Sequence, residues 1–199
     1  MELKTFGFIG LGLIGGSIAK AIRKVIRDSY IIAYGPHPEK FADAVQEGVL
    51  NEISTKINET FHKCDMIFLC APVSTNNENL VKLKPFLSSH TILTDVGSVK
   101  SPIDEAIRAL GLEAQFIGGH PMAGREVSGV QTAVPNMFQA AHYILTPGEQ
   151  SKAEHIRLME RVAKHIGCAD VVKTTPEQHD AIIAYTSQMM HVIAVAVCD

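Results

Sequence analysis

A glycine-rich turn close to the N-terminus constrains the fold of this chain more than any other feature. Gly10, Gly12 and Gly15 have the spacing G-x-G-x-x-G, and they follow directly on the apolar run Thr5–Ile9. Apolar residues then recur every three to four positions as far as Val25, a pattern that predicts strand, tight turn and helix. The first glycine permits the turn, the second lets a pyrophosphate approach the backbone, and the third lets helix and strand pack closely. The turn therefore predicts a dinucleotide site, with a ligand-free turn as the alternative.

Strand and helix patterns continue to alternate along the chain. Runs typical of strands lie at residues 30–34, 66–71, 91–96, 116–117, 143–146 and 170–173. Helical patterns lie at residues 39–46, 79–87, 101–110 and 151–166. Near-continuous apolar strands that alternate with helices indicate a sheet covered on both faces. We predict an α/β fold, a Rossmann-type doubly wound and mostly parallel sheet.

The character of the sequence changes near residue 176. One long helical pattern begins there, and residues 182–199 are strongly apolar and lack a Gly, a Pro or a basic last turn. We therefore expect residues 1–175 to form the dinucleotide-binding domain and residues 176–199 to begin a helical domain. The chain looks cut within this helix, whose apolar face is expected to pack against a helical partner domain. Such a chain should bind a nucleotide better than it turns over a substrate.

Composition narrows the class of partner. The chain has 199 residues, with 18 Lys and Arg against 21 Asp and Glu, for a net charge of −3. This balance provides no broad basic surface for nucleic acid or anionic lipid, so we expect a small-molecule substrate. The four cysteines form no C-x-x-C pair, which predicts neither a metal site nor disulfides and favours a cytoplasmic protein. We find no signal peptide, and no apolar run reaches the roughly 18 residues of a membrane helix.

The end of the second predicted strand lacks the acid that commonly holds the ribose of NAD. That acid is expected about 20 residues after the glycines, where this chain has Gly35 and His37. The absence of a carboxylate relieves repulsion against the 2′-phosphate of NADP, and His37 or Lys40 could supply positive charge. Glu39 is near and could instead reach a ribose. Both NAD and NADP stay open.

Two motifs bring polar side chains to the same edge of the sheet. His120 stands between Gly-Gly and Pro in GGHPMAG, after a predicted strand, where open α/β sheets place their ligand crevice. We expect its ring on an irregular loop rather than on a packed face. Ser98, in TDVGSVK, follows the neighbouring strand. Its hydroxyl could enter the crevice or cap the helix that begins near Ser101.

Five motifs in this order and spacing resemble the prephenate/arogenate dehydrogenase family of tyrosine biosynthesis. They are GLGLIGGS (10–17), LCAPV (69–73), TDVGSVK (94–100), GGHPMAG (118–124) and TTPEQHD (174–180). The resemblance implies an oxidoreductase acting on CH-CH donors, which converts prephenate to 4-hydroxyphenylpyruvate by NAD(P)-dependent oxidative decarboxylation. It also implies a homodimer formed through the helical region. Arogenate as substrate, a non-catalytic NAD(P)-binding regulatory module, and a reductase of imines or hydroxy acids are the alternatives.

The resemblance also implies roles for individual residues. His120 is the expected general base, since an imidazole with a pKa near 6.5 can accept the ring hydroxyl proton at neutral pH. Ser98 is expected to orient the His120 imidazole ring or the substrate hydroxyl. The expected cofactor-binding residues are Gly10, Gly12, Leu13, Ile14, Gly15, Gly35, His37, Ala71, Pro72 and Val73. The expected substrate-binding residues are Ser98, His120, Arg125 and His191.

Two of these positions carry alternatives, and so does one further pair of residues. Arg125 stands where family members commonly have a small hydroxyl residue, and it contacts a carboxylate or points to solvent. His191 is the histidine kept from a family pattern with two, and it meets the substrate or simply lies on a helix face. His179 and Asp180 are adjacent on a predicted helix, where side chains point about 100° apart, so we expect a helix-start role rather than catalysis.

Overall fold

The computed structural model describes residues 3–188, which contain eight strands in a single sheet. The strands are β1 (Thr5–Ile9), β2 (Tyr30–Tyr34), β3 (Glu52–Ser54), β4 (Met66–Leu69), β5 (Ile92–Asp95), β6 (Phe116–Pro121), β7 (His142–Pro147) and β8 (Asp170–Lys173). Seven of them coincide with predicted runs. The exception is β3, whose three half-buried residues include Glu52 and Ser54 and form no apolar run that a sequence pattern could detect.

The strand order is β3-β2-β1-β4-β5-β6-β7-β8. Strands β1 to β6 are parallel, which confirms the Rossmann-type, mostly parallel sheet, whereas β7 runs antiparallel to β6 and β8 runs parallel to β7. The chain reverses its direction of travel across the sheet between β1 and β4. In open α/β sheets ligands bind outside the carboxyl ends of the strands at such a switch point, and the glycine turn follows β1 at this place.

The described residues form six α-helices, of which five lie between strands and the sixth follows β8. They are α1 (Leu13–Val25), α2 (Ala42–Gln46), α3 (Val73–Leu83), α4 (Ser101–Leu110), α5 (Ala153–His165) and α6 (Pro176–Ile183). The prediction for α3 was wrong at its start, because the helix begins at Val73, directly after Pro72, rather than at residue 79. A proline can stand at a helix start without losing a needed N–H. No helix within residues 3–188 is long and apolar enough to cross a membrane.

The helical pattern predicted from residue 176 is present as far as the structure describes it. α6 passes directly into a π-helical turn, Ala184–Gln188. Residues 189–199, the last 11 residues of the predicted long helix, lie outside the described residues.

The core has two parts, one on each face of the sheet, because successive strand side chains alternate between faces. Phe6 and Phe8 of β1 pack on one face with residues of α1 and α5. Ile67 and Leu69 of β4 pack on the other face with residues of α3 and α4. All four side chains are fully buried, and each such burial stabilises the fold by about 1.5–3 kcal/mol. The helices on both faces thereby fix the strands whose ends carry the candidate site.

Strand β6 is longer than its sequence indicates. The predicted strand at 116–117 continues through Pro121, and His120 pairs with Ile144 of β7. The expected irregular loop around His120 was therefore wrong. The antiparallel ladder to β7 extends the strand past its pairing with β5, which reaches only as far as Ile117.

Candidate active site

The glycine turn is shaped by close backbone contacts at the switch point. Gly10 has a positive φ of 85°, and a Cβ there would lie 3.0 Å from the Ala71 nitrogen. A Cβ on Gly15 would lie 3.0 Å from the Cβ and Sγ atoms of Cys70. These two glycines therefore let the turn approach the end of β4, where side chains would hold it apart.

Gly12 faces free space instead. It is the N-cap of α1, and a Cβ on it would meet no described heavy atom within 4 Å. A glycine N-cap has no side chain to accept hydrogen bonds from the first N–H groups of the helix, which are left to bind an anion. This open, N–H-lined space fits a pyrophosphate. The two further predicted cofactor residues of the turn open the helix: Leu13, which is buried, and Ile14, which is half-buried.

The start of α1 is also held from its other side. A Cβ on Gly16 would lie 2.9 Å from the Ala133 Cβ atom, so only glycine lets the helix and the 130–134 segment meet this closely. The buried Ser17 hydroxyl accepts a hydrogen bond from the Val134 N–H at 3.1 Å. Neither contact was predicted from the sequence, because both join segments more than 100 residues apart.

The turn after β4 is fixed by a side chain that sequence reasoning missed. The buried Asn76 amide accepts a hydrogen bond from the Ala71 N–H at 3.2 Å and donates one to the Ala71 carbonyl at 2.7 Å. Ala71 and Val73 are half-buried and Pro72 is exposed. The sequence signal for these two hydrogen bonds was an Asn four positions after a proline at a helix start.

The end of β2 has no room for the acid of the NAD fingerprint. Gly35 is buried, and a Cβ on it would lie 2.4 Å from the Phe41 ring, so any side chain there requires that core ring to move. His37 is exposed, with its Nδ1 atom 3.3 Å from the Glu39 carboxylate. His37 is thus available at the surface beside the position where the ribose acid is missing.

A buried ion pair holds the strand that carries His120. The Lys100 ammonium and the Asp95 carboxylate are in contact, with side chains 1% and 2% exposed. Lys100 also donates a hydrogen bond to the Gly119 carbonyl at 2.7 Å, while Asp95 accepts one from the Gly119 N–H at 3.1 Å. Because β5 ends at Asp95, the Lys100 and Asp95 side chains form the hydrogen bonds to Gly119 that the backbone of a longer β5 would otherwise form. Burial lowers the pKa of Lys100, and the Asp95 carboxylate opposes that shift.

His120 is linked to two residues of α6, directly to His179 and through His179 to Asp180. Its Nδ1 atom lies 2.9 Å from Nε2 of His179, and Nδ1 of His179 lies 2.8 Å from the Asp180 carboxylate. We call these three residues the His120–His179–Asp180 array. The expectation that His179 and Asp180 point apart was wrong, since both side chains turn toward each other and His179 is buried. Burial, the Lys100 charge and His179 lower the pKa of His120 to about 4, so its ring is neutral at neutral pH and able to accept a proton.

Asp180 ties the array to the start of α4. Its carboxylate accepts hydrogen bonds from the Lys100 N–H at 2.7 Å, the Ser101 N–H at 2.8 Å and the Ser101 hydroxyl at 2.6 Å. It thereby caps orphan N–H groups at a helix N-terminus, where negative charge is favoured. Burial opposes ionisation, but the hydrogen bonds from Ser101, His179 and Lys100 outweigh it and lower the Asp180 pKa to about 2.

The three remaining predicted residues lie outside this array. Ser98 is exposed on the turn between β5 and α4, and it does not cap α4, whose N-cap is Lys100. Arg125 is exposed in the loop that follows β6. His191 lies outside the described residues. Within residues 3–188, no three His, Cys, Asp or Glu side chains are grouped so that they could hold a metal ion.

A mostly parallel sheet with a glycine turn and a helix start at its switch point defines a Rossmann-type nucleotide-binding domain. His120, a neutral histidine, lies at the same edge of the sheet. Comparison with known families agrees with this class. The family described as "Prephenate dehydrogenase, nucleotide-binding domain" matches residues 18–172. The chain belongs to this family.

Individual relatives are similar along nearly the whole chain. The prephenate dehydrogenase of Bacillus subtilis (strain 168) is 34% identical over 192 residues, which are 96% of this chain and 52% of the relative. A crystal structure of prephenate dehydrogenase from A. aeolicus, in complex with hydroxyphenyl propionate and NAD+, matches with a TM-score of 0.91 and 34% identity. The match covers 100% of this chain and 69% of that one. Synechocystis arogenate dehydrogenase matches with a TM-score of 0.89 and 34% identity, over 98% and 68% of the two chains. The chain thus spans about half the length of its B. subtilis relative.

Proposed function

We propose that this chain is the catalytic nucleotide-binding domain of an NAD(P)-dependent prephenate dehydrogenase, which converts prephenate to 4-hydroxyphenylpyruvate and carbon dioxide. One observation carries the proposal. At the edge of the sheet that bears the glycine turn, His120 is a neutral imidazole backed by His179 and Asp180. A domain that only bound a nucleotide would have no use for a proton acceptor held in this way.

The turn residues suit a dinucleotide. The α1 N–H groups beside Gly12 are free to bind the pyrophosphate, and Gly10 and Gly15 bring the turn against β4. Ala71, Pro72 and Val73, at the end of β4, would line the nicotinamide end, and Leu13 and Ile14 would contribute to the pyrophosphate site. When bound, the nicotinamide supplies the hydride acceptor, and the protein supplies placement and polarity.

For the choice of cofactor, we propose that the enzyme accepts NADP as well as NAD. Gly35 leaves the ribose 2′ position without a carboxylate, because the Phe41 ring occupies the space that a side chain would need. His37 is exposed next to this position and would contact a 2′-phosphate. The His37–Glu39 contact supports an alternative in which Glu39 accepts from a ribose hydroxyl.

The residues of the array perform the proton chemistry. As hydride leaves the ring carbon that bears the hydroxyl group, His120 takes the hydroxyl proton. Loss of carbon dioxide then makes the ring aromatic, and the phenolic oxygen regains a proton from His120. No net proton is consumed, so His120 ends the cycle neutral. A histidine that stays unprotonated down to a pKa of about 4 is ready to accept the proton at the start of each cycle.

The remaining sequence-based roles complete the proposal. Ser98 would orient the substrate hydroxyl or the His120 ring, while Arg125 and His191 would meet the substrate carboxylates. Residues 1–175 form the nucleotide-binding domain, and residues 176–199 begin a helical domain that makes a homodimer in the cytoplasm. The exposure of Ile182 (53%) and Tyr185 (70%) on this segment supports packing against a further domain.

The proposal is tested by assaying prephenate and arogenate, each with NAD and with NADP, on the full-length protein. The readout is the absorbance of the reduced cofactor. We expect prephenate-dependent reduction of the cofactor. Turnover of arogenate alone would identify an arogenate dehydrogenase instead. Binding of nucleotide without oxidation of either compound would favour the non-catalytic module and contradict the proposal.

A further inference from the structure

The hydrogen bonds of the His120–His179–Asp180 array have a direction that can be worked out atom by atom. The Asp180 carboxylate can only accept, so the proton between it and His179, 2.8 Å away, sits on Nδ1 of His179. A neutral imidazole with a proton on Nδ1 has its lone pair on Nε2. That lone pair lies 2.9 Å from Nδ1 of His120, so His120 donates.

This direction determines which nitrogen of His120 can act as a base. With its proton on Nδ1, a neutral His120 carries its lone pair on Nε2. Among the described residues, no hydrogen bond engages that Nε2 atom. We infer that His179 and Asp180 are positioning residues, which hold His120 in the Nδ1–H tautomer and leave Nε2 to accept the substrate proton. The consequence for turnover rests on the proposed function, whereas the tautomer does not.

The surroundings of the array suit a fixed orientation. The His179 side chain is fully buried, and its ring stands at 64° to the His120 ring with centroids 5.1 Å apart. Asp180 is anchored by the N–H groups of Lys100 and Ser101. The carboxylate therefore cannot turn away without exposing the start of α4, and His179 cannot rotate without losing both of its partners.

The position of these residues along the chain changes the view of the site. His179 and Asp180 lie on α6, beyond the expected domain boundary at residue 175. The segment that begins the second domain therefore helps to build the proton acceptor of the first. Asp180 also favours a proton on His120, against the effect of burial and of Lys100, and so stabilises the cation that would form during turnover.

The tautomer can be measured directly. In nitrogen-15 NMR spectra of the full-length protein with labelled histidines, at neutral pH, the His120→Asn variant assigns the His120 signals. We expect Nδ1 of His120 and Nδ1 of His179 to carry the protons. In His179→Leu the acceptor is lost, and we expect the His120 proton to move wholly or partly to Nε2. In His179→Gln the amide oxygen can replace Nε2 as acceptor, so the Nδ1–H tautomer should persist.

Ser101→Ala is the matched control, since it removes one hydrogen bond to Asp180 but leaves the array intact. It should not change the His120 tautomer. A wild-type His120 with its proton on Nε2, next to a doubly protonated His179, would overturn the inference. An unchanged His120 tautomer in His179→Leu would also overturn it.

Kinetics provide the second readout. We expect His179→Leu to lower kcat by about tenfold or more with little change in KM, because the wrong tautomer of a catalytic histidine can cost up to roughly 10⁴-fold. His179→Gln should restore most of this loss. Equal kcat values in the wild type and His179→Leu would contradict the positioning role. The expected tautomers in a protein that turns over neither prephenate nor arogenate would support the inference on the tautomer and refute the proposed function alone.

Discussion

The Lys100 ammonium donates a hydrogen bond to the Gly119 carbonyl at 2.7 Å, directly before His120 in strand β6. Asp95, the ion-pair partner of Lys100, accepts from the N–H of the same glycine. A buried ion pair therefore replaces the missing strand neighbour of Gly119 on one side. Gly119 must be a glycine for this arrangement, because a Cβ there would lie 2.7 Å from the Asp95 carbonyl oxygen.

Lys100→Met should be strongly destabilising. It leaves the Asp95 carboxylate buried without its partner, which typically costs about 3–5 kcal/mol. Urea denaturation measures the free energy of unfolding. The double variant Asp95→Asn/Lys100→Met removes both charges and should recover part of the loss. A double variant as unstable as Lys100→Met would show that the unpaired charge is not the cause.

His120 should titrate far below an ordinary histidine. Burial first, then Lys100 and His179, lower its pKa from 6.5 to about 4. Between those pH values the unfolded chain takes up a proton that the folded chain does not, so the contribution of His120 to the free energy of unfolding falls as the pH falls. An NMR titration of the His120 ring should have its midpoint near pH 4. A midpoint near 6.5 would contradict the described burial.

Asp180 should protect the fold to lower pH than most carboxylates. Its pKa is lowered from 3.8 to about 2 by the hydrogen bonds from Ser101, His179 and Lys100, against the effect of burial. The stability that it contributes is thus present above about pH 4 and is lost as the pH falls toward 2. The free energy of unfolding of Asp180→Asn, compared with the wild type at pH 7 and at pH 2, checks this. The difference should shrink at the lower pH, and a constant difference would contradict it.

Two glycine substitutions should separate nucleotide binding from folding. Gly12→Ala adds a methyl group in open space at the N-cap of α1, so the free energy of unfolding should barely change while NAD affinity falls. Gly16→Ala drives a methyl group to 2.9 Å from the Ala133 and Val130 side chains, and overpacking of this kind costs about 1–3 kcal/mol. Calorimetric titration with NAD and thermal denaturation measure the two effects. If Gly12→Ala were as destabilised as Gly16→Ala and lost NAD affinity for that reason, the role of Gly12 in nucleotide binding would be contradicted.

His37 should matter for NADP and not for NAD. The side chain is 62% exposed, and charge contacts at exposed sites contribute up to about 1 kcal/mol. We therefore expect His37→Ala to weaken NADP binding by about two- to fivefold and to leave NAD binding unchanged. His165→Ala, an exposed histidine at the end of α5, is the control. A loss of NAD affinity in His37→Ala would instead favour a ribose contact.

Features encoded in local sequence were predictable, and features that depend on distant contacts were not. The glycine turn and the position of His120 at a strand end follow from short motifs next to apolar runs. The length of β6 depends on its pairing with β7, and the hydrogen bonds to Gly119 depend on Asp95 and Lys100. No local pattern encodes these contacts.

The contact between His120 and His179 was missed for the same reason. Adjacent helix positions point apart on average, but the carboxylate of Asp180 turns toward the start of α4 and also reaches His179. That convergence needs α6 to pack beside α4 and β6, a tertiary contact between residues 59 apart in the case of His120 and His179. Ser98 and Arg125 were placed in the site from motif position alone, and both are exposed outside the array.

The most direct test is the turnover of prephenate by His120→Asn in the full-length protein, measured as cofactor reduction beside the affinity for NAD. Asn cannot act as the base, so we expect turnover to fall by about 100-fold or more while NAD affinity and thermal stability stay close to those of the wild type. Wild-type turnover by His120→Asn would contradict the assignment of His120 as the proton acceptor.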